Sequence, residues 1–85
     1  MFRKEYKKIN KQNKDLSKIK EVIEKLANGE ELDYKYRDHQ LISNIRFENC
    51  RECHIEPDWL LIYRRNNSTM RLYLMETGSH SDLFY

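Results

Sequence analysis

Glycine and proline are scarce, at two and one in 85 residues. That excludes a collagen-like chain and a Pro/Gly-rich disordered one. Long apolar runs are missing too. None approaches the ~18 consecutive apolar residues of a membrane-spanning helix. The basic N-terminal stretch, Met1 to Lys20, has no apolar segment behind it. A secretory leader is therefore not expected, no membrane partner is expected, and the expected compartment is the cytoplasm. Only two cysteines are present, Cys50 and Cys53, and in that compartment both are expected to be reduced. Length is short as well. A chain this small buries only ~60% of the surface its unfolded form exposes. It has no room for a nucleotide-binding fold plus a substrate domain. One domain over residues 1–85 is expected, with any active site shallow and open.

What is present is charge and enough apolar residues for a core. Charged residues make up 35% and hydrophobic residues 39%. The net charge of +2 conceals an asymmetry. Residues 1–25 hold nine Lys/Arg against four acids, net +5; the other sixty hold seven against ten, net −3. A basic helical surface beside a mixed-charge body points to a polyanion or an acidic protein as partner. A solvated lysine-rich helix face gives the same pattern.

The periodicities predict helices first and strands after. Phe2, Tyr6 and Ile9 fall at i, i+4 and i+7, one helical face. After a polar break at 10–13, Asp15 or Ser17 can cap a second helix with Leu16, Ile19, Ile23 and Leu26 as its apolar stripe. Glu21 and Lys25 form an i,i+4 pair on it. Asn28-Gly29 is the stop, because glycine accepts the left-handed conformation that ends helices. Residues 30–44 show no steady period and read as an irregular connection. A strand is expected over 45–55, with Pro57 interrupting the ladder. Trp59 to Tyr63 is apolar on both parities, as in a central strand covered on both faces. Residues 65–69 make a polar turn, 70–75 the next strand, ended by Gly78, and 79–85 a short tail. The predicted class is α+β: an N-terminal helical hairpin packed on a small antiparallel β-sheet.

Two constellations bear on chemistry. Cys50-Arg51-Glu52-Cys53-His54 matches C-x-x-C-H, the haem c attachment pattern. Covalent haem is attached outside the cytoplasm, and two cysteines three apart on a strand point to opposite faces. The same geometry opposes a zinc site, so no metal and no cofactor is expected. The histidines His39, His54 and His80 each sit at an expected strand edge, where side chains reach a cleft. Imidazoles, a carboxylate and arginines suit RNA cleavage, because RNA carries its own nucleophile, the 2′-OH. A protein need only remove that proton, stabilise the crowded phosphorane and protonate the leaving oxygen. An aromatic ring such as Trp59 or Phe84 can stack an unpaired base, although core packing is the commoner use of a tryptophan.

Three ordered segments carry a resemblance. Tyr36-Arg37-Asp38-His39-Gln40-Leu41, then Arg51 through Tyr63 with its His54-Ile55-Glu56-Pro57-Asp58-Trp59, and Thr77-Gly78-Ser79-His80-Ser81-Asp82-Leu83-Phe84 resemble the YafQ branch of the RelE/ParE toxin superfamily. The resemblance implies a RelE-like fold and a ribosome-dependent mRNA endoribonuclease, the toxin of a type II toxin–antitoxin pair. It implies cutting of A-site mRNA through the 2′-OH without metal. The catalytic set it implies is His39, His54, Asp58 and His80. His39 is matched to the general base, His80 to the general acid, and His54 and Asp58 to groups that orient the phosphate. Trp59 and Phe84 match positions that hold the RNA. The implied partners are a cognate antitoxin and the ribosome with its mRNA, with DNA reached only through the antitoxin. The chain departs from the family pattern twice. Glu76 stands where an arginine usually precedes Thr-Gly-Ser-His, which leaves Arg51, Arg71 or Arg46 to supply the substrate-binding cation. It also gives a second expectation, an impaired homologue serving as an antitoxin-binding, co-repressing module. The family's short first strand looks missing, since Phe2 already belongs to the helical pattern.

Overall fold

A computed structural model of the chain describes residues 14–42, 46–66 and 68–84. The expected helix over residues 2–9, and with it the hairpin and the missing first strand, lies outside the described residues. The second helix, α1, runs Leu16–Ala27. Asp15 caps it, its carboxylate accepting from the Ser17 backbone N–H at 3.0 Å and the Ser17 hydroxyl at 2.6 Å. Glu21 and Lys25 pair at 3.6 Å. The helix ends at Asn28, and Gly29 follows with φ +76°, the conformation glycine tolerates best.

A 3₁₀ turn, Tyr34–Tyr36, then leads into the two-residue strand β1, His39–Gln40. Strands β2 (Arg51–Glu56), β3 (Trp59–Asn66) and β4 (Arg71–Gly78) follow. The sheet order is β1-β2-β3-β4, with every neighbouring pair antiparallel. The strand expected over 45–55 starts late: 46–49 is a turn, Asn49 has φ +61°, and Cys50 N donates to the Phe47 carbonyl at 3.1 Å. Phe47 is buried there from a turn, and an inward-facing residue in a turn mimics strand alternation. Pro57 and Asp58 form a two-residue turn between β2 and β3, so the proline lies outside the ladder. Strand β3 runs three residues further than expected, because its exposed end needs no apolar residues.

Alternation along β3 builds two cores, one on each face. Trp59, Leu61 and Tyr63 pack with Cys53, Ile55 and Tyr36 against Ile19, Val22 and Leu26 of α1. Leu60 and Ile62 pack with Phe47, Cys50 and Leu83 on the opposite face. The second face has a cover where the sequence pattern predicted only a short tail, the helix α2, His80–Phe84. A reciprocal cap starts it: Ser79 N donates to the Asp82 carboxylate and Asp82 N to the Ser79 hydroxyl, both at 3.1 Å. Ser-x-x-Asp at 79–82 was the legible signal.

Candidate active site

Strand parity decides which residues share the open sheet face. Glu52 pairs with Ile62 and His54 with Leu60, so both lie on the face opposite α1. His39 pairs with Glu52 and joins them from β1. The β2–β3 turn contributes Asp58, and α2 contributes His80 at its first residue and Phe84 at its last. The three imidazoles form a row. Ring centroids are 6.4 Å apart for His39 and His54, and 5.8 Å for His54 and His80. Phe84 continues the row 6.4 Å from His80 and meets Phe47 edge to face at 5.9 Å.

Each ring is held by identifiable partners. Asp58 Oδ1 lies 2.7 Å from His80 Nδ1 and accepts from the His80 backbone N–H at 3.0 Å. Those two hydrogen bonds, the backbone one first, hold the Asp58 carboxyl below its usual range. An ionised Asp58 requires the proton on Nδ1 of His80, which leaves Nε2 as the working nitrogen. His54 Nδ1 lies 3.3 Å from the Pro57 carbonyl and His39 Nδ1 3.3 Å from the Gln40 carbonyl. A carbonyl accepts, so both Nδ1 atoms donate, and both Nε2 atoms turn to Glu52: 3.4 Å for His54 and 3.7 Å for His39. The Glu52 side chain is only 7% exposed. A shielded carboxylate between two imidazole nitrogens is a place for a proton or a cation. Ligand atoms of His39, Glu52 and His54 all lie within 4.8 Å of one another.

Glu52 is the residue that sequence reasoning missed. Its signal was its spacing: residues two apart on a strand share a face, and Glu52 precedes His54 by two. The four residues matched to a catalytic set, His39, His54, Asp58 and His80, come together, and Phe84 joins them. Three of the residues expected to bind substrate do not. Trp59 is 1% exposed in the core against α1, and its indole N–H donates to Thr77 Oγ1 at 3.0 Å. It has no ring face to offer a base. Arg51 lies on the α1 face, its Nε donating to Asp38 at 3.1 Å; the Tyr63 hydroxyl reaches both Asp38 oxygens at 2.7 Å. Arg71 opens β4 beside Asn66, seven residues and roughly 23 Å of strand from Gly78. A cation on the histidine side of the sheet is Arg46, paired with Glu76 at 2.5 Å. Cys50 and Cys53 are buried in separate cores, one on each face of the sheet, so they do not offer a common pair of ligands.

Comparison with known proteins identifies the family and the fold. The family model described as the bacterial toxin of type II toxin–antitoxin systems, YafQ, matches residues 1–85. The mRNA interferase toxin YafQ of Escherichia coli (strain B / BL21-DE3) is 37% identical over 84 residues, spanning 98% of this chain and 87% of that protein. The crystal structure of YafQ from E. coli BL21(DE3) superposes with a TM-score of 0.90 at 35% identity, over 99% of this chain and 90% of that one. A metal-bound toxin from Helicobacter pylori gives 0.88 at 38% identity, over 98% and 90%. Match over the full chain and likeness of fold lead to one assignment: the chain belongs to the YafQ family of toxins from type II toxin–antitoxin systems.

Proposed function

We propose that the chain is an endoribonuclease toxin that cuts mRNA in the ribosomal A site and is restrained by a cognate antitoxin. The observation that carries this reading is the convergence of three imidazoles on one open sheet face, each held by a carboxylate or carbonyl. His39, exposed at the edge, takes the 2′-OH proton. The 2′-oxygen attacks phosphorus, the bond to the 5′-oxygen breaks, and His80 delivers a proton to that oxygen from Nε2. The products are a 2′,3′-cyclic phosphate and a free 5′-hydroxyl. Asp58 fixes the tautomer of His80, the Gln40 carbonyl fixes that of His39 so that Nε2 receives the proton, and Glu52 beside that nitrogen stabilises the imidazolium that forms. Support for the partner comes from relatives: the E. coli DinJ–YafQ complex has been solved as a crystal structure. Primer-extension mapping on ribosomes programmed with a defined message tests the reading. A-site cuts are expected, and His80→Ala is expected to lower their rate ~10²–10⁴-fold. No cuts with wild-type protein would overturn it.

A second reading has its own observation. Two imidazole nitrogens and a carboxylate within 4.8 Å suit a zinc- or copper-like ion, and a metal-bound relative has been solved. An ion there would occupy His39 and His54 and block proton transfer. Protein stripped with chelator is therefore expected to cut at full rate, and added Cu²⁺ to inhibit. Loss of cutting on chelation would reverse the assignment.

A further inference from the structure

One pair on the histidine face is left unused by the acid–base scheme. Glu76 of β4 is 3% exposed, and its Oε2 has no hydrogen-bond partner among the described residues. Its Oε1 accepts from Arg46 Nη2 at 2.5 Å. Arg46 Nη1 donates to the Leu83 carbonyl of α2 at 3.3 Å, and the guanidinium sits 4.9 Å over the Phe47 ring. Three separate elements thus fix one guanidinium, yet its side chain remains 56% exposed. A guanidinium has five N–H donors. The contacts to Glu76 and Leu83 use two, and the rest are open to a ligand.

Stability does not account for this pair. A buried carboxylate, even when paired, often gives no more stability than an apolar residue of similar size, and here one oxygen is bare. What the pair does secure is position. A long side chain with many rotamers is held in one place beside the row of rings. Glu76 lies across Ile62 from Glu52, two strand spacings or roughly 10 Å away. Arg46, Phe47, Phe84 and His80 touch in succession. An RNA strand that followed the ring row from His80 past Phe84 and Phe47 would reach this guanidinium.

We propose that Arg46 binds an RNA phosphate at this site and that Glu76 is its positioning residue. The proposal deepens the nuclease reading and rests on it. The carboxylate is buried behind the guanidinium, so an incoming phosphate meets N–H donors first. The pair carries no net charge; it offers directed hydrogen bonds, which are stronger toward an anion than neutral ones. Glu76 is thereby a compensated change rather than a silencing one.

Arg46→Ala would leave Glu76 bare and risks misfolding, so the test uses Arg46→Gln/Glu76→Gln and the swap Arg46→Glu/Glu76→Arg. Each is titrated with a non-cleavable 2′-O-methyl oligoribonucleotide while NMR follows the arginine Nε–H signals, and each is assayed on programmed ribosomes. In wild type the Arg46 signal is expected to move on titration. The Gln/Gln variant is expected to bind roughly tenfold more weakly or worse and to cut about 10²-fold more slowly. The swap, which returns an arginine to the same place, is expected to recover both. An unmoved Arg46 signal with unchanged affinity overturns the assignment, whatever the ribosomes show. A moving signal in a wild-type protein that never cuts sinks the nuclease reading and leaves Arg46 as an RNA contact.

Discussion

At the residue scale, Asp58 is the group whose ionisation the proposed acid–base scheme uses. Its carboxyl is held below the usual range by the His80 backbone N–H and then by the His80 ring. A depressed folded value favours the folded state above the unfolded pKa, ~3.9 for aspartate. That contribution disappears as pH falls through the depressed value. The stability gap between wild type and Asp58→Asn is therefore expected to be full above about pH 4 and to close in stronger acid. Denaturation at several pH values measures it. Carboxyl-carbon NMR gives a second check: His80→Ala keeps the backbone donor and loses the ring, so the Asp58 midpoint should rise only part of the way to the ordinary value. Cys53 makes the opposite case. Burial pushes its thiol up to about 12, and the Asp38 and Glu52 charges act in the same direction. The thiolate is the nucleophile, so native protein at pH 8 is expected to resist iodoacetamide at Cys53 and to react in denaturant, as mass spectrometry would show.

At the element scale, α2 is a five-residue helix that carries His80, Leu83 and Phe84. So short a helix is not stable alone. It is held by the Ser79–Asp82 cap, by Leu83 in the core and by Asp58. Gly78 lets it sit there. A Cβ at 78 would meet Asp82 Cβ at 3.0 Å and its Oδ2 at 3.1 Å. Gly78→Ala is expected to push Asp82 off its cap and to displace the His80 ring. Cutting should then fall well beyond what a modest drop in melting temperature explains; equal effects on both would contradict this role. These details mark how far the sequence could be read. Helix α1 was legible from cap to stop, because Asp15, an apolar stripe and Asn28-Gly29 are local signals. Strand β3 was legible because apolar residues on both parities have one common explanation. The start of β2 was not, since Phe47 reaches the core from a turn. Trp59 was matched to RNA by its position in a segment, while its place in a run apolar on both parities pointed to the core, and the core is where it lies. Arg46, in the turn before β2, and Glu76 of β4, thirty residues apart, meet only in the folded chain.

At the scale of the whole molecule, the central strand divides labour between two faces. The α1 face is a closed apolar core in which Ile19, Val22, Trp59 and Leu61 are almost wholly buried. The opposite face has a smaller core, with the titratable groups at its open edge. Stability and chemistry should therefore separate by face. Ile19→Ala removes buried methyl groups and leaves a cavity, which typically costs ~2–5 kcal/mol. In a domain of this size each kcal/mol shifts the melting temperature by roughly 4–8 °C. Below its own melting point that variant is expected to cut within a few-fold of wild type, because among the described residues the hydrogen bonds, ion pairs and ring contacts of the three histidines involve no residue of α1. His39→Ala should do the reverse. Its side chain is 52% exposed, and exposed substitutions usually shift stability by less than about 0.5 kcal/mol. Loss of the proposed general base should slow cutting ~10²–10⁴-fold. Thermal melts and ribosome cleavage on the two variants, run in parallel, check the division. If Ile19→Ala slows cutting as much as His39→Ala at a temperature where both are folded, the faces are coupled, and α1 must be setting the geometry of the histidine row through β2.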